Sequence, residues 1–410
     1  MPELTEAPLR DESKFPMTGE QEEVRLRELL RGRDVKLIPV KDGFIVHNNS
    51  LPLVAEAPWV LLDLDDTAVK TTEGKMQCWM EMEELGISKA VVEYCDGASR
   101  LDVDGESIYQ PEMEARLLTA ALNLDGDDTQ KISVLEETKN KIIKEGIERF
   151  RVDSRIEDVY ARTRYNPELY PDTLESVKNL RGSGELPRAN LVLLTYGDPE
   201  FQLRKALSLL DRADFGEIWL TKKPKGEFIK MVARDFPLKG QVSLTYQFDE
   251  TEPRDGSVHF RDWRSMVVLF DDDPRHVDSV NQLADEDPEF MVVAAARVRR
   301  PSASRSGQVH NSKGMDLHFT DTYADFELYE AAVLELNARL YENFLMEKFG
   351  ELGPELFDDK TTDDLIGGMA QFRGQTPEEA LLKFKVKCGL ADAVVTDEGS
   401  MEIYRGDKSV

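Results

Sequence analysis

Five short apolar runs, each cut off by a polar turn, set narrow limits on the fold. They are WVLLDLD at 59–65, NLVLLT at 190–195, EIWLT at 217–221, MVVLFD at 266–271 and MVVAAARV at 291–298. Runs of this length without polar alternation suit strands covered on both faces, as in a parallel sheet. Helical patterns stand between most of them, such as PEFQLRKALSLL at 199–210 and GEFIKMVARDF at 226–236. The alternation predicts an α/β fold with a doubly wound, Rossmann-like parallel sheet. Shorter apolar pieces at 34–55, broken by Pro, Gly and Asn, read as short strands or a hairpin.

Over 100 residues separate the first run from the second, with no buried strand pattern between them. Leu135, Ile142, Ile143, Ile147 and Phe150 recur there at helical spacing, so 75–165 reads as a separate, mostly helical insert. The remaining organisation follows: a polar N-terminal tail and short helix at 1–33, an α/β core at 34–74 and 166–322, and a helical C-terminal extension at 323–410. In that extension Phe326, Tyr329, Val333, Leu336, Leu340 and Phe344 form one long apolar face, which packs on the core or in a small helical domain of its own, or else holds a protein partner or second copy. The basic, Ser-rich segment RVRRPSASRSGQ at 297–308 reads as a mobile surface loop.

A chain of 410 residues is too long for one compact core. Asp and Glu number 80 against 52 Lys and Arg, a net charge of -28. Such a surface repels nucleic acid and anionic membranes, so neither is expected as a partner. A small phosphorylated metabolite remains compatible, because a basic pocket or bound metal reverses the field locally. Cys78, Cys95 and Cys388 form no CxxC pair, which fits a reducing compartment. The acidic N-terminus has no secretory pattern, and no run reaches the roughly 18 apolar residues of a spanning helix. A cytoplasmic location is expected.

The chemistry concentrates at the ends of the apolar runs. The first ends in Asp63, Asp65, Asp66 and Thr67, and the fourth in Asp271, Asp272 and Asp273. Ligands of open α/β sheets bind outside the carboxyl ends of the strands. Two acidic strand ends meeting in one crevice make a hard oxygen site suited to Mg²⁺. Thr195 ends the second run and can donate to a phosphate oxygen. Lys222, Lys223 and Lys225 follow the third and could neutralise charge on a carboxylate and on a transferring phosphoryl group.

This ordered set resembles the haloacid dehalogenase superfamily, in which phosphatases are the largest group. Its first motif, DxDx(T/V) after an apolar strand, is matched by Asp63-Leu64-Asp65-Asp66-Thr67. Its second, a strand ending in Thr or Ser, is matched by Thr195. Its lysine, often in a KP pair, is matched by Lys223 of Lys223-Pro224, with Lys225 as the alternative. Its acidic fourth motif is matched by FDDDPRHV, giving Asp271 and Asp272. LYPDTLESVKNL at 169–180 looks like the turn and helix that precede the second motif. The first 55 and last 90 residues have no counterpart.

The resemblance implies a phosphatase with a helical cap inserted between the first two motifs. Asp63 would attack phosphorus and form an aspartyl-phosphate. Asp65 would act as acid and then base, which requires a raised pKa. Mg²⁺ would be held by Asp63, the backbone carbonyl of Asp65, and Asp271 or Asp272. Thr195 and Lys223 would bind the phosphoryl oxygens, with Thr67 and Lys225 completing the substrate-binding set. Two other functions keep the same fold: a phosphomutase or related phosphoryl transferase, and a catalytically silent scaffold. His276, beside the fourth motif, reads as a helix-surface residue.

Overall fold

The computed structural model describes residues 19–51, 53, 59–103, 106–171, 173, 189–210, 215–235, 242–247, 257–262, 265–286, 291–300, 315–318, 392–395 and 401–404. The tail at 1–18, Cys388 and the amphipathic helix expected near 326–344 lie outside the described residues, as does most of the helix expected at 169–180. So does most of the expected C-terminal helical extension. Its described residues pair as two antiparallel strands, Asp392–Val395 with Met401–Tyr404.

All five apolar runs are strands of one sheet. They are β3 (Trp59–Leu62), β6 (Asn190–Tyr196), β7 (Glu217–Thr221), β10 (Ser265–Asp271) and β11 (Met291–Arg299). The expected hairpin is β1 (Val35–Val40) and β2 (Gly43–Asn48), and it extends the sheet at β7. Outside this sheet, β8 (Val242–Gln247) and β9 (Ser257–Asp262) form an antiparallel pair with each other. A short strand, β12 (Met315–His318), extends the other edge of the main sheet, so the order is β1-β2-β7-β6-β3-β10-β11-β12. From β7 to β12 every pairing is parallel. In chain order those strands run 3-2-1-4-5-6, the doubly wound arrangement, with its switch point beside β3.

The lack of polar alternation in the runs follows from burial on both faces. Val60 and Leu62 of β3 join one apolar cluster with Leu193, Phe215 and Phe270. Trp59 and Leu61 join a second with Val192, Trp219 and Phe228. Trp59 and Trp219 lie 5.7 Å apart by ring centroids in that second layer. Covering the faces are α1 (Gly19–Leu29), α7 (Pro199–Leu210), α8 (Lys225–Asp235) and α9 (Pro274–Glu286).

Between β3 and β6 stand the helices α2 (Thr71–Glu84), α3 (Lys89–Ala98), α4 (Pro111–Leu122), α5 (Asp128–Glu145) and α6 (Ser154–Thr163). A two-stranded hairpin, β4 (Arg100–Val103) and β5 (Glu106–Tyr109), interrupts them. They enclose their own apolar cluster, including Cys78, Met82, Val91, Leu117, Leu135, Ile142, Ile156 and Tyr160. This inserted unit, which stands where the resemblance expects a cap and is called the cap, meets the core through α1. Arg25 bonds Glu112 of α4 at 2.8 Å and Glu200 of α7 at 3.2 Å, and it also pairs with Glu148.

One expectation for the core is corrected. RVRRPSASRSGQ does not begin as a surface loop: Arg297 and Arg299 belong to β11, and Arg297 and Arg300 are buried. Arg297 donates to the Asp272 carbonyl at 3.2 Å, and Arg300 donates to the Thr67 carbonyl at 3.0 Å. Residues 301–308 lie outside the described residues.

Candidate active site

The acids at 63 and 271 converge, because β3 and β10 are neighbours in the sheet. The Asp63 N–H extends their ladder by donating to the Phe270 carbonyl at 2.8 Å. Beyond Asp63 the chain turns back tightly, with the Leu64 carbonyl accepting from Ala68 at 3.1 Å and Val69 at 2.9 Å. Asp66 takes a left-handed backbone, φ 54°, which Asp tolerates better than most residues. Its carboxylate accepts from the Thr72 N–H and hydroxyl, at 2.8 and 2.7 Å, and so ties the turn to the first cap helix.

After β10, the Asp273 N–H donates to Asp271 Oδ1 at 2.8 Å, and Asp273 Oδ1 accepts from the Arg275 N–H at 2.9 Å at the start of α9. The acidic triplet is therefore a folded strand-to-helix turn. Asp63, Asp271 and Asp272 are buried, and each offers a carboxylate oxygen within 4.8 Å of the others.

Lys225, in the first turn of α8, is the lysine that reaches this cluster. Its Nζ donates to Asp271 Oδ2 at 2.6 Å and to Asp63 Oδ1, and the side chain is 1% exposed. Gly226 makes the approach possible, since a Cβ there would lie 2.6 Å from the Ser279 carbonyl oxygen of α9. The expectation that favoured Lys223 is thereby corrected. Lys223 stands half-buried in the turn before α8, its N–H donating to the Thr221 hydroxyl at 3.0 Å. The KP pair misleads because α8 starts two residues later and turns Lys225, not Lys223, toward the strand ends.

Three carboxylates against one lysine leave the pocket short of positive charge. Burial, reinforced by Asp271 and Asp65, pushes Asp63 up to about 7 against the pull of Lys225. Burial also raises Asp271. Lys225 moves up as well, because Asp271 and Asp63 outweigh its own desolvation. The hydroxyls of Thr67 and Thr195 are buried at the same crevice end and have no hydrogen-bond partner among the described residues.

Asp65 does not join the carboxylate cluster. Its side chain turns to α7, where it meets Lys205 and accepts from Gln202 at 3.1 Å; on the cap side it meets the Thr71 hydroxyl. Burial alone would raise its pKa, but Lys205, Thr71 and Gln202 together lower it to about 2. The expected raised acid is corrected accordingly: Asp65 is held as a carboxylate.

Lys205 itself was missed by sequence reasoning, although a signal existed. It sits four residues from both Phe201 and Leu209 on the apolar face of PEFQLRKALSLL, where a lysine has no place unless it meets a buried acid. His276 also differs from expectation. It is half-buried, its ring centroid lies 5.4 Å from that of Tyr196, and burial with the nearby Lys225 charge holds its pKa down to about 3.

Strand order and the helical insertion after β3 make this a doubly wound α/β fold. The chain is similar to a haloacid dehalogenase-like family hydrolase from Xanthomonas campestris, with 16% identity, TM-score 0.36, and 69% of this chain and 97% of that one covered. It is similar to a HAD-hydrolase of Bacillus subtilis bound to magnesium, with 14% identity, TM-score 0.34, and 67% and 98% covered. A predicted phosphoglycolate phosphatase from Haemophilus somnus is similar at 11% identity, TM-score 0.32, with 68% and 100% covered. No protein-family model matches the sequence, and no curated protein does. Among the described residues no helix is long and apolar enough to cross a membrane.

Proposed function

We propose that this protein is a Mg²⁺-dependent phosphatase that hydrolyses a small phosphomonoester through an aspartyl-phosphate on Asp63. The observation that carries the reading is the buried group of Asp63, Asp271 and Asp272, within 4.8 Å of one another, with Lys225 as its cation. Buried carboxylates in such excess need a further positive charge. The all-oxygen donor set suits a hard divalent ion. Mg²⁺ held by Asp63, Asp271 and Asp272 would supply charge that keeps the carboxylates ionised and polarises the phosphoryl group.

The chain's own residues would then divide the work. Asp63 attacks phosphorus, and the bond to the leaving oxygen breaks. Lys225 and the Thr195 hydroxyl, which has no hydrogen-bond partner among the described residues, bind the phosphoryl oxygens. Asp65, held ionised in the free protein, is ready as the base that takes a proton from water in the second step. For the first step it must gain a proton, which a phosphoryl group competing for Lys205 would favour by loosening that pair. An acid at position 65 favours phosphate over halide chemistry, because a departing alcohol needs a proton and a departing halide does not.

Turnover of p-nitrophenyl phosphate with Mg²⁺ tests the reading directly. Asp63→Asn should lower kcat by at least about a thousandfold, and removal of the metal by chelation should do the same. Turnover that is absent from the wild type across a broad phosphoester panel, or unchanged in Asp63→Asn, would sink the proposal.

A further inference from the structure

The phosphatase reading leaves the leaving group open, and the seam between cap and core carries information about it. We infer that Arg164 recognises a second anionic group on the substrate, so that the preferred phosphomonoesters are those whose leaving group carries a carboxylate or another phosphate. This inference rests on the function proposed above and narrows its substrate class.

Arg164 follows α6, the last cap helix, and is 6% exposed. Its guanidinium lies 5.0 Å from the ring centroid of Tyr109, 5.9 Å from that of Tyr160 and 5.8 Å from that of Phe201. The tyrosines belong to the cap, and Phe201 opens α7 of the core. The cation therefore stands in an aromatic box that exists only where the two units meet.

Ring faces stabilise a cation but accept its N–H groups poorly. Arginine carries five N–H donors, and buried donors are almost always satisfied. Here Nε and Nη1 of Arg164 have no acceptor among the described residues. The acid that balances its charge, Glu114, does not fill that need: its Oε2 accepts from the hydroxyls of Tyr109 and Tyr160. Glu114 Oε2 thus holds the box together, and Nε and Nη1 of the guanidinium are left without an acceptor among the described residues. An arginine placed only for packing would be expected to keep those bonds.

Position connects this cation to the reaction. The Phe201 ring that faces Arg164 also lies 4.5 Å from Lys205 Nζ. Lys205 holds Asp65, two residues from the nucleophile. Through Phe201 and Lys205, Arg164 thus stands on the side of Asp65, the residue proposed to protonate the leaving oxygen. A guanidinium stays charged at any working pH and matches the geometry of carboxylate and phosphate. An uncharged leaving group would leave its donors unmet, whereas an anionic one would satisfy them.

The test compares two three-carbon phosphoesters of similar size, 3-phosphoglycerate and glycerol 3-phosphate, with propane-1,3-diol bisphosphate as the second anionic form. Wild-type kcat/KM should favour at least one anionic form over glycerol 3-phosphate by at least about tenfold. In Arg164→Met that ratio should fall toward one, and in Arg164→Lys it should be intermediate, whatever happens to the absolute rates. Calorimetric binding of the same three compounds to Asp63→Asn with Mg²⁺, with and without Arg164→Met, gives the ratio without turnover. A wild type that hydrolyses neither these compounds nor any member of a broad phosphoester panel overturns the phosphatase reading, while the binding ratio still decides the role of Arg164. Equal binding of charged and neutral forms, or a preference that survives in folded Arg164→Met, overturns the inference. If Arg164→Met does not fold, the ratio in Arg164→Lys decides.

Discussion

The two walls of the crevice hold their charges in opposite ways. The core wall gathers three carboxylates around one lysine, all at strand ends or a helix start, and is short of positive charge. The cap wall places one guanidinium among aromatic rings, and a nearby acid, Glu114, accepts from two tyrosine hydroxyls. On the proposed reading one side receives a cation and a phosphoryl group, the other an anion. Asp65 and Lys205 stand between them as a neutral pair. The contrast then separates chemistry from selection: the groups proposed to act on phosphorus ride on the sheet and its strand ends, and the group inferred to choose the substrate rides on the inserted unit.

The largest effect that could break this division concerns the two candidate lysines. Lys225→Met should lower kcat/KM on p-nitrophenyl phosphate by about a hundredfold to a thousandfold at saturating Mg²⁺, because Asp63 and Asp271 lose their buried cation. Lys223→Met should stay within about threefold of wild type. The reverse order would restore the KP lysine and undo the geometry of the core wall.

A smaller effect sharpens the role of the pair between the walls. Lys205→Met leaves Asp65 without its cation and should cost roughly 3 kcal/mol at pH 7. In thermal melts that corresponds to a loss of about 6–12 °C. The folded state holds Asp65 below its ordinary value, so the pair's contribution is present above pH ~4 and fades as the pH falls through 2. Adding Asp65→Asn to Lys205→Met should recover part of the loss; no recovery would mean that the two do not act as a pair.

The smallest effect lies at the seam itself. Asp198 accepts the Phe201 N–H at 2.9 Å as α7 begins, and it lines a crevice with Gln110, Glu112, Tyr165, Glu200 and Arg204. Burial, with Glu22 and Glu200 nearby, pushes it up to about 7. A carboxyl whose folded value is raised contributes its full stability below the unfolded value and loses it as pH rises through the folded one. The melting temperature of Asp198→Asn relative to wild type should therefore climb by a few °C between pH 5 and pH 8. A difference that stays flat across that range would show that Asp198 is not held protonated at the seam.

Much of the core wall was legible in the chain. Runs such as MVVLF and NLVLL without polar alternation announce strands covered on both faces, and acids or a hydroxyl directly after them announce a site. What misled was local pattern without helix phase. Lys223 looked right beside Pro224, yet a helix begun at Lys225 decides which lysine turns inward. Arg297 and Arg300 looked like part of a basic loop, yet their strand carries them beneath the acidic turn. Asp65 looked like a proton donor in waiting because nothing near it in sequence reveals Lys205, 140 residues away.

Hydrophobic periodicity and strand-end chemistry are local properties, so the chain alone determined the sheet's strands, the inserted helical unit and the acids that compose the reactive group. Proton affinities and partners are set by whatever surrounds a group in space. Only the folded arrangement decided that Lys225 joins Asp63, that Lys205 holds Asp65 ionised, and that Arg164 is enclosed by rings from both units. Burial strips water from those charges, and without water each is governed by the few neighbours that the fold supplies.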